Sequence, residues 1–207
     1  MALTIYGVAL SRANRNLWLA EELGLAYTHR ETDFRPTAAD HSRTAAFLAI
    51  NPNGHVPAID DDGLVVWESM AINLYLARKN ISPLSPADLN EEARALMWSF
   101  WVVNECERDC VAILLHRAAL PEAKRVPASA SQAAGRLKQP LRVLEAALSK
   151  APFLAAERFT VADLNVAAVL SWARPEADLL AAFPAVSAWL ADALARPAAS
   201  RVANALR

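Results

Sequence analysis

The chain has 207 residues, 55% of them hydrophobic, enough to bury a substantial core as one or two domains. With 21 Lys and Arg against 22 Asp and Glu, and no block of either sign, it lacks the electrostatic footprint of a nucleic-acid or anionic-membrane partner. No leading segment joins a basic start, an apolar core and a cleavage site, and no apolar run reaches spanning length, so the reading is a soluble, cytoplasmic protein.

Leu3-Thr4-Ile5-Tyr6-Gly7 alternates as a buried first strand, and Val8 to Ser11 follows as a loop. Arg12 opens a helix with apolar residues at helical spacing that stops at Gly24. Ser11 stands at the strand-to-helix junction. It either caps the helix, satisfying an orphan N–H, or presents a hydroxyl that donates to a thiolate near the positive helix end and lowers the thiol pKa. Leu25 to Arg30 reads as a second strand, and Phe34 to Phe47 as a weakly periodic, short or irregular helix.

Asn51 to Ala71 is the densest stretch. Asn51-Pro52 and Asn53-Gly54 are turn signals, and Pro57 interrupts what otherwise spaces as a strand. Val56 then either presents backbone N–H and C=O groups to an extended, peptide-like ligand or belongs to an edge strand kinked at Pro57. Asp61-Asp62-Gly63 reads as a hairpin turn and Leu64 to Trp67 as the returning strand. Glu68-Ser69 precedes an apolar helical run. Free N–H groups there favour a ligand carboxylate, with Ser69 as a further donor and Glu68 holding an ammonium; the other reading is that the pair only caps the helix.

The pattern breaks after Lys79, where Pro83 and Pro86 end helical continuity, and residues 80–90 read as a linker between an α/β domain over 1–79 and an all-helical domain over 91–207. Glu91 to Leu120 reads as one long helix whose polar middle largely faces solvent. Pro121 and Pro127 end it, and Ala128 to Ala134 reads as a small-residue loop before a helix through Leu137, Leu141, Leu144 and Leu148 that Pro140 kinks or begins. Thr160 followed by Asp163 has the spacing of a reciprocal cap on an almost wholly apolar helix. A last helix runs from Val186 to Arg196, and the Ala-rich tail either packs across the first unit or frays. Cys106 and Cys110, four apart on a helix, read as inert thiols rather than a disulfide or a zinc site, and no metal is expected.

Ser11-Arg12-Ala13-Asn14-Arg15, Asn51-Pro52-Asn53-Gly54-His55-Val56-Pro57, Glu68-Ser69 with Ala71-Ile72, and Phe159-Thr160-Val161-Ala162-Asp163 occur in an order and spacing that closely resemble a cytosolic glutathione S-transferase, of the bacterial, serine-using theta-like or zeta-like branch. The resemblance spans nearly the whole chain. It implies a thioredoxin-like first domain, an all-helical second domain, a homodimer, a detoxifying transferase and glutathione as co-substrate. It also implies a cis bond before Pro57, the backbone of Val56 pairing with the cysteinyl part of glutathione, Glu68 and Ser69 holding the γ-glutamyl head group, and His55 near the glycyl end. Tyrosine-using branches would place their phenol at Ala9, and cysteine-using branches would want Cys in this loop. The resemblance therefore makes Ser11 the activator and Tyr6 a core residue.

The electrophile that takes the thiolate is not named by the sequence. Ala9, Leu10 and Arg12 of the first loop and Glu105, Arg108 and Asp109 of the long helix are the candidates for lining its pocket. The alternatives to a transferase are a glutathione-dependent isomerase, lyase or peroxidase, or a non-catalytic glutathione-binding or protein-interaction module.

Overall fold

The computed structural model describes residues 2–204. They divide into two compact units, one reaching to Ser85 and taking in the residues from Arg196 on, the other Pro86–Ala195.

In the first unit, β1 (Leu3–Tyr6), α1 (Ala13–Glu22) and β2 (Tyr27–Arg30) are followed by α2 (Ala45–Leu48), the hairpin β3 (Ala58–Asp61) and β4 (Leu64–Trp67), and α3 (Ser69–Lys79). The sheet order is β2-β1-β3-β4, with β1 parallel to β2 and the other pairs antiparallel. Ile5 and Ile59 face each other across the central pair, fully buried, and Leu19 of α1 with Ile72 and Leu76 of α3 completes the core. Each such side chain contributes about 1.5–3 kcal/mol on burial. The hairpin turns through Asp62 and Gly63, both at positive φ (52° and 92°), the pairing that matches strand twist in a two-residue turn.

The second strand starts at Tyr27, two residues later than its apolar spacing predicts. Gly24 sits at φ 63° past the helix end and the Leu25 N–H returns to the Ala20 carbonyl, so Leu25 belongs to the helix stop. The stretch from Phe34 to Phe47 is helical only from Ala45. Before that the Asp33 backbone bonds to Asp40 and Ser42, while its carboxylate takes the Arg35 N–H and guanidinium, so local pairs replace the helical ladder. The tail forms α10 (Pro197–Asn204) and packs on α1, where Arg196 bridges Glu22 through two bonds of 2.7 Å and Arg201 reaches Glu21 at 2.8 Å. Half-exposed pairs of this kind contribute roughly 0–1 kcal/mol each.

The second unit opens with α4 (Leu89–Val102), capped by the Asp88 carboxylate on Asn90 and Glu91 N–H. The long helix continues to Ala119, but in pieces: α5 (Arg108–Leu114) lies between π-helical turns at Val103–Glu107 and Leu115–Ala119. Within its polar middle Asn104, Glu105 and Arg108 are exposed, whereas Glu107 and Asp109 are buried. Cys106 and Cys110 are buried and form no disulfide, and burial, ahead of the nearby Glu105 and Asp109 charges, pushes the Cys106 thiol up to about 12.

The expected loop at Ala128 to Ala134 is helix. α6 runs unbroken over Pro127–Leu148, with Pro127 in the first turn, where its missing N–H costs nothing, and alanines carrying the helix forward. Pro140 lies inside it. α7 (Val161–Leu170) is buried along its whole length, and α8 (Ala177–Ala181) and α9 (Pro184–Ala195) follow. No helix of the described residues is long and apolar enough to cross a membrane.

Glu91 ties the start of α4 to the loop at Arg158, accepting from both guanidinium nitrogens at 2.9 and 2.7 Å and from the Ala87 N–H. The Arg158 bonds, then the Ala87 N–H, bring its carboxyl down from 4.5 to about 2. A carboxyl depressed in the folded state adds stability that is complete above its unfolded value and lost as pH falls through the folded one. Acid titration of thermal unfolding should therefore lose stability between pH 4.5 and 2, and Glu91→Gln should flatten that slope while matching a protein already protonated there.

Candidate active site

Tyr6, Ala58 and Trp67 are level in the register of β1, β3 and β4. Beyond that row the chain leaves β1 through Gly7, enters β3 through Val56 and Pro57, and passes from β4 into Glu68 and Ser69. Three loops thus open at one end of the sheet.

Gly7 is where the first two loops meet. Its φ is 130°, and a Cβ there would lie 2.8 Å from the Ala13 Cβ, 3.0 Å from the Val56 Cβ and 3.6 Å from the Ser11 Oγ. Any larger residue would press on Ala13 at the start of α1 and on Val56, in a backbone conformation that side-chain-bearing residues rarely adopt.

Ser11 is half-buried at the mouth of α1. Its N–H and its hydroxyl both donate to the Val8 carbonyl, at 2.9 and 2.7 Å, and its Oγ accepts from the Ala13 N–H at 3.1 Å. The hydroxyl therefore serves the local turn, as the capping reading expects. Turning the hydroxyl proton away from Val8 needs only rotation about its C–O bond, at the cost of one bond of about 1 kcal/mol.

Val56 is buried and the peptide bond between it and Pro57 is cis. The ladder to β1 begins only at Ala58, and among the described residues nothing hydrogen-bonds to the N–H or C=O of Val56. The edge is held rigid from below. The buried Asn51 amide donates to the His55 carbonyl at 2.7 Å and accepts from the Asn53 N–H, and the Gly54 N–H closes onto the Asn51 carbonyl. Gly54, at φ 61°, leaves room for the Arg43 guanidinium, which donates to the Asn53 carbonyl at 3.3 Å. His55 is exposed beside this turn.

Glu68 stands at the start of α3 with φ 74°, a conformation uncommon for a side-chain-bearing residue and one that gathers at functional sites. Its exposed carboxylate makes no cap bond. The capping reading of Glu68 therefore fails. Ser69 is buried and its Oγ accepts from Arg15 Nη1 at 3.1 Å, leaving its own proton to donate.

Arg15, Asn16 and Asn73 form a cluster that the sequence reading passed over. Asn16 Nδ2 donates to the Ser69 carbonyl at 2.9 Å and to Asn73 Oδ1 at 2.7 Å, and Asn73 Nδ2 returns to the Arg15 carbonyl at 3.2 Å. All three side chains are buried, which locks α1 to the first turn of α3. The available signal was the polar run Asn14-Arg15-Asn16 at the start of α1, of which Arg15 and Asn16 are buried. The outcome is a guanidinium beside a helix N-terminus, a place where an anion is favoured.

The residues expected to line a second pocket are placed as follows. In the first unit Ala9 is half-buried and Leu10 and Arg12 are exposed. In the second, Glu105 and Arg108 are exposed, while Asp109 is buried and held by Arg136 through a fork of bonds at 3.0, 3.1 and 2.6 Å. In the α7 region Thr160 and Asp163 form a capping box.

Family models for the glutathione S-transferase N-terminal domain and C-terminal domain match residues 1–78 and 108–197. A probable glutathione S-transferase from rice, named GSTF2, is 35% identical, with 98% of this chain and 96% of that protein aligned. A glutathione S-transferase I structure bound with lactoylglutathione superimposes with a TM-score of 0.87 at 30% identity, covering 98% of each chain. A theta class glutathione S-transferase from Xanthomonas axonopodis pv. citri with glutathione bound gives 0.83 at 32% identity, covering 96% of this chain and 95% of that one. The narrower placement in a bacterial theta-like or zeta-like branch is not supported, since relatives such as the rice protein at 35% identity and a maize glutathione S-transferase 1 at 32% are plant proteins, and the bacterial theta class structure at 32% does not exceed them. The α/β unit is thioredoxin-like and is followed by an all-helical domain, and with both halves and near-full-length relatives in agreement, the chain belongs to the glutathione S-transferase family.

Proposed function

We propose that this protein binds glutathione along the Val56 edge and stabilises its thiolate for attack on an electrophilic small molecule. The observation that carries the reading is the free N–H and C=O of Val56, a ready partner for the cysteinyl backbone of a peptide, lying between a hydroxyl and the start of a helix. Glu68, free of the cap, holds the γ-glutamyl ammonium. Ser69 and the N–H groups of α3 take the γ-glutamyl carboxylate, and Arg43 gives the glycyl carboxylate a positive neighbour, with the His55 imidazole as a further hydrogen-bond donor. Relatives whose structures hold glutathione or lactoylglutathione support the choice of peptide.

Ser11 turns its hydroxyl from Val8 to the sulfur and donates to it without becoming a nucleophile. Together with the positive end of α1 this raises the thiolate population near neutral pH, the thiol proton passing to solvent. The sulfur then forms a bond to the electrophilic carbon as the leaving group departs with its electron pair. Arg12, exposed, adds potential that salt screens. Retention on immobilised glutathione and turnover with an aromatic halide test the proposal. Failure of both would overturn it.

We propose further that the protein is a homodimer. β4 is an edge strand with Leu64, Val65 and Trp67 exposed, and Leu96, Met97 and Phe100 are exposed on one face of α4, both apolar surfaces of the kind that a partner covers. Light scattering should give twice the 22.5 kDa of one chain, and Phe100→Glu should return the mass to that of one chain. A native mass of 22.5 kDa at micromolar concentration would contradict the proposal.

A further inference from the structure

His29 lies on β2, level with Ile5 of β1, and its Nε2 is 2.8 Å from the Gly7 carbonyl oxygen. A carbonyl only accepts, so Nε2 carries the proton and donates it. That oxygen and the Val8 N–H belong to one peptide unit, and the N–H end donates to the Thr32 carbonyl at 3.1 Å. The Gly7–Val8 peptide is thus gripped at both ends from outside its own loop. The next carbonyl along, that of Val8, receives both the N–H and the hydroxyl of Ser11.

Gly7 has no side chain to restrain this peptide plane, and its φ of 130° lies in a region through which glycine turns easily. The plane is held by its two hydrogen bonds, and rotating it would move the carbonyl that seats Ser11.

We propose that His29 is a positioning residue for Ser11. It fixes the Gly7–Val8 peptide, and through the Val8 carbonyl it fixes where the hydroxyl sits and how far it must turn to meet a sulfur. This inference rests on the reading of Ser11 as the donor to the glutathione thiolate. The imidazole touches the chemistry only through the loop, since the Gly7 carbonyl is its side chain's one hydrogen-bond partner among the described residues. The γ-glutamyl anchors at Glu68 and Ser69 stand on another loop. Losing His29 should therefore affect the reacting sulfur more than the hold on the peptide.

The test compares His29→Ala, His29→Gln and Ser11→Ala by ultraviolet titration of the enzyme-bound glutathione thiol and by the separate values of kcat and KM. A glutamine amide N–H can occupy the place of Nε2–H. The expected result is a raised thiol pKa and a kcat lowered about tenfold in His29→Ala, with KM for glutathione within about twofold, the size of one misplaced hydrogen bond. Both values should return towards the parent in His29→Gln. If His29→Ala does not fold, His29→Leu against His29→Gln carries the same comparison, with volume kept and only the donor changed. A thiol titration moved by Ser11→Ala but unmoved by loss of the His29 donor would overturn this inference alone. One unmoved by Ser11→Ala would overturn the role of Ser11 and this inference with it. Equal defects in the glutamine and apolar variants would show that His29 serves packing and not position.

Discussion

Replacing Ser11 by alanine should lower kcat by about 10²-fold, the usual loss when one donor to a developing or resident anion is removed, and leave KM for glutathione within about twofold. The asymmetry follows from where the peptide is held. Val56 offers two backbone groups, Glu68 a carboxylate and Ser69 a hydroxyl backed by the buried Arg15, and none of these depends on the Ser11 side chain. The bound thiol should titrate at higher pH in the variant, so that activity lost near neutrality is partly regained as pH rises. The same substitution also removes the acceptor of the Ala13 N–H, a cap bond of ~1 kcal/mol. A small drop in thermal stability is therefore expected with it, too small to account for the kinetic loss. Unchanged turnover in Ser11→Ala would transfer the thiolate to another donor.

The largest effect on stability is expected at Asp163, remote from the chemistry. Its carboxylate is wholly buried and accepts from the Leu154 N–H at 3.0 Å, the Thr160 N–H at 2.9 Å, the Thr160 hydroxyl at 3.0 Å and the Trp189 indole at 3.2 Å. One side chain thereby joins the start of α7, the loop before it and α9. Burial pushes the carboxyl up from its ordinary range while the four donors pull it back, so the charge is tolerated because of the bonds it accepts. Asp163→Ala would leave three segments with buried donors unmatched, each costing about 1–3 kcal/mol. A loss of about 3–5 kcal/mol in denaturant unfolding is expected, and Asp163→Asn should fall between, since an amide presents its NH₂ where an acceptor is needed. A loss under about 1 kcal/mol would show that water or rearrangement satisfies those donors.

Much of the fold could be read from local chemistry. The Asp62-Gly63 turn with β4, the Gly24 helix stop and the Thr160/Asp163 cap are all decided within a few residues, by φ preference or by a side chain reaching the nearest N–H. Ala128 to Ala134 misled because a run of alanine and serine carries no apolar stripe. Ala130, Ala133 and Ala134 are buried precisely where small size permits close approach, and that is settled by the neighbours. Leu25 spaced as strand but was taken by the helix stop, and Asp33 diverted its segment from helix through Arg35.

At the site, Ser11, Val56, Glu68 and Ser69 come to one end of the sheet, as their order in the chain suggests once the strands pair. The contacts of Arg15, Asn16, Asn73 and His29 stayed hidden for a common reason. Their bonds run to Ser69, to each other and to Gly7 across separations that no local pattern encodes, and a polar residue on an inward helix face or a strand looks like any solvated one until the partner is known.

A crystal structure of the protein with glutathione bound tests the central claim most directly. The account requires the cysteinyl N–H and C=O to pair with the Val56 backbone, the ammonium to meet Glu68, and the sulfur to lie within hydrogen-bond reach of the Ser11 hydroxyl, released from Val8. A peptide bound away from the residue before Pro57, or a sulfur facing a different side chain, would contradict it.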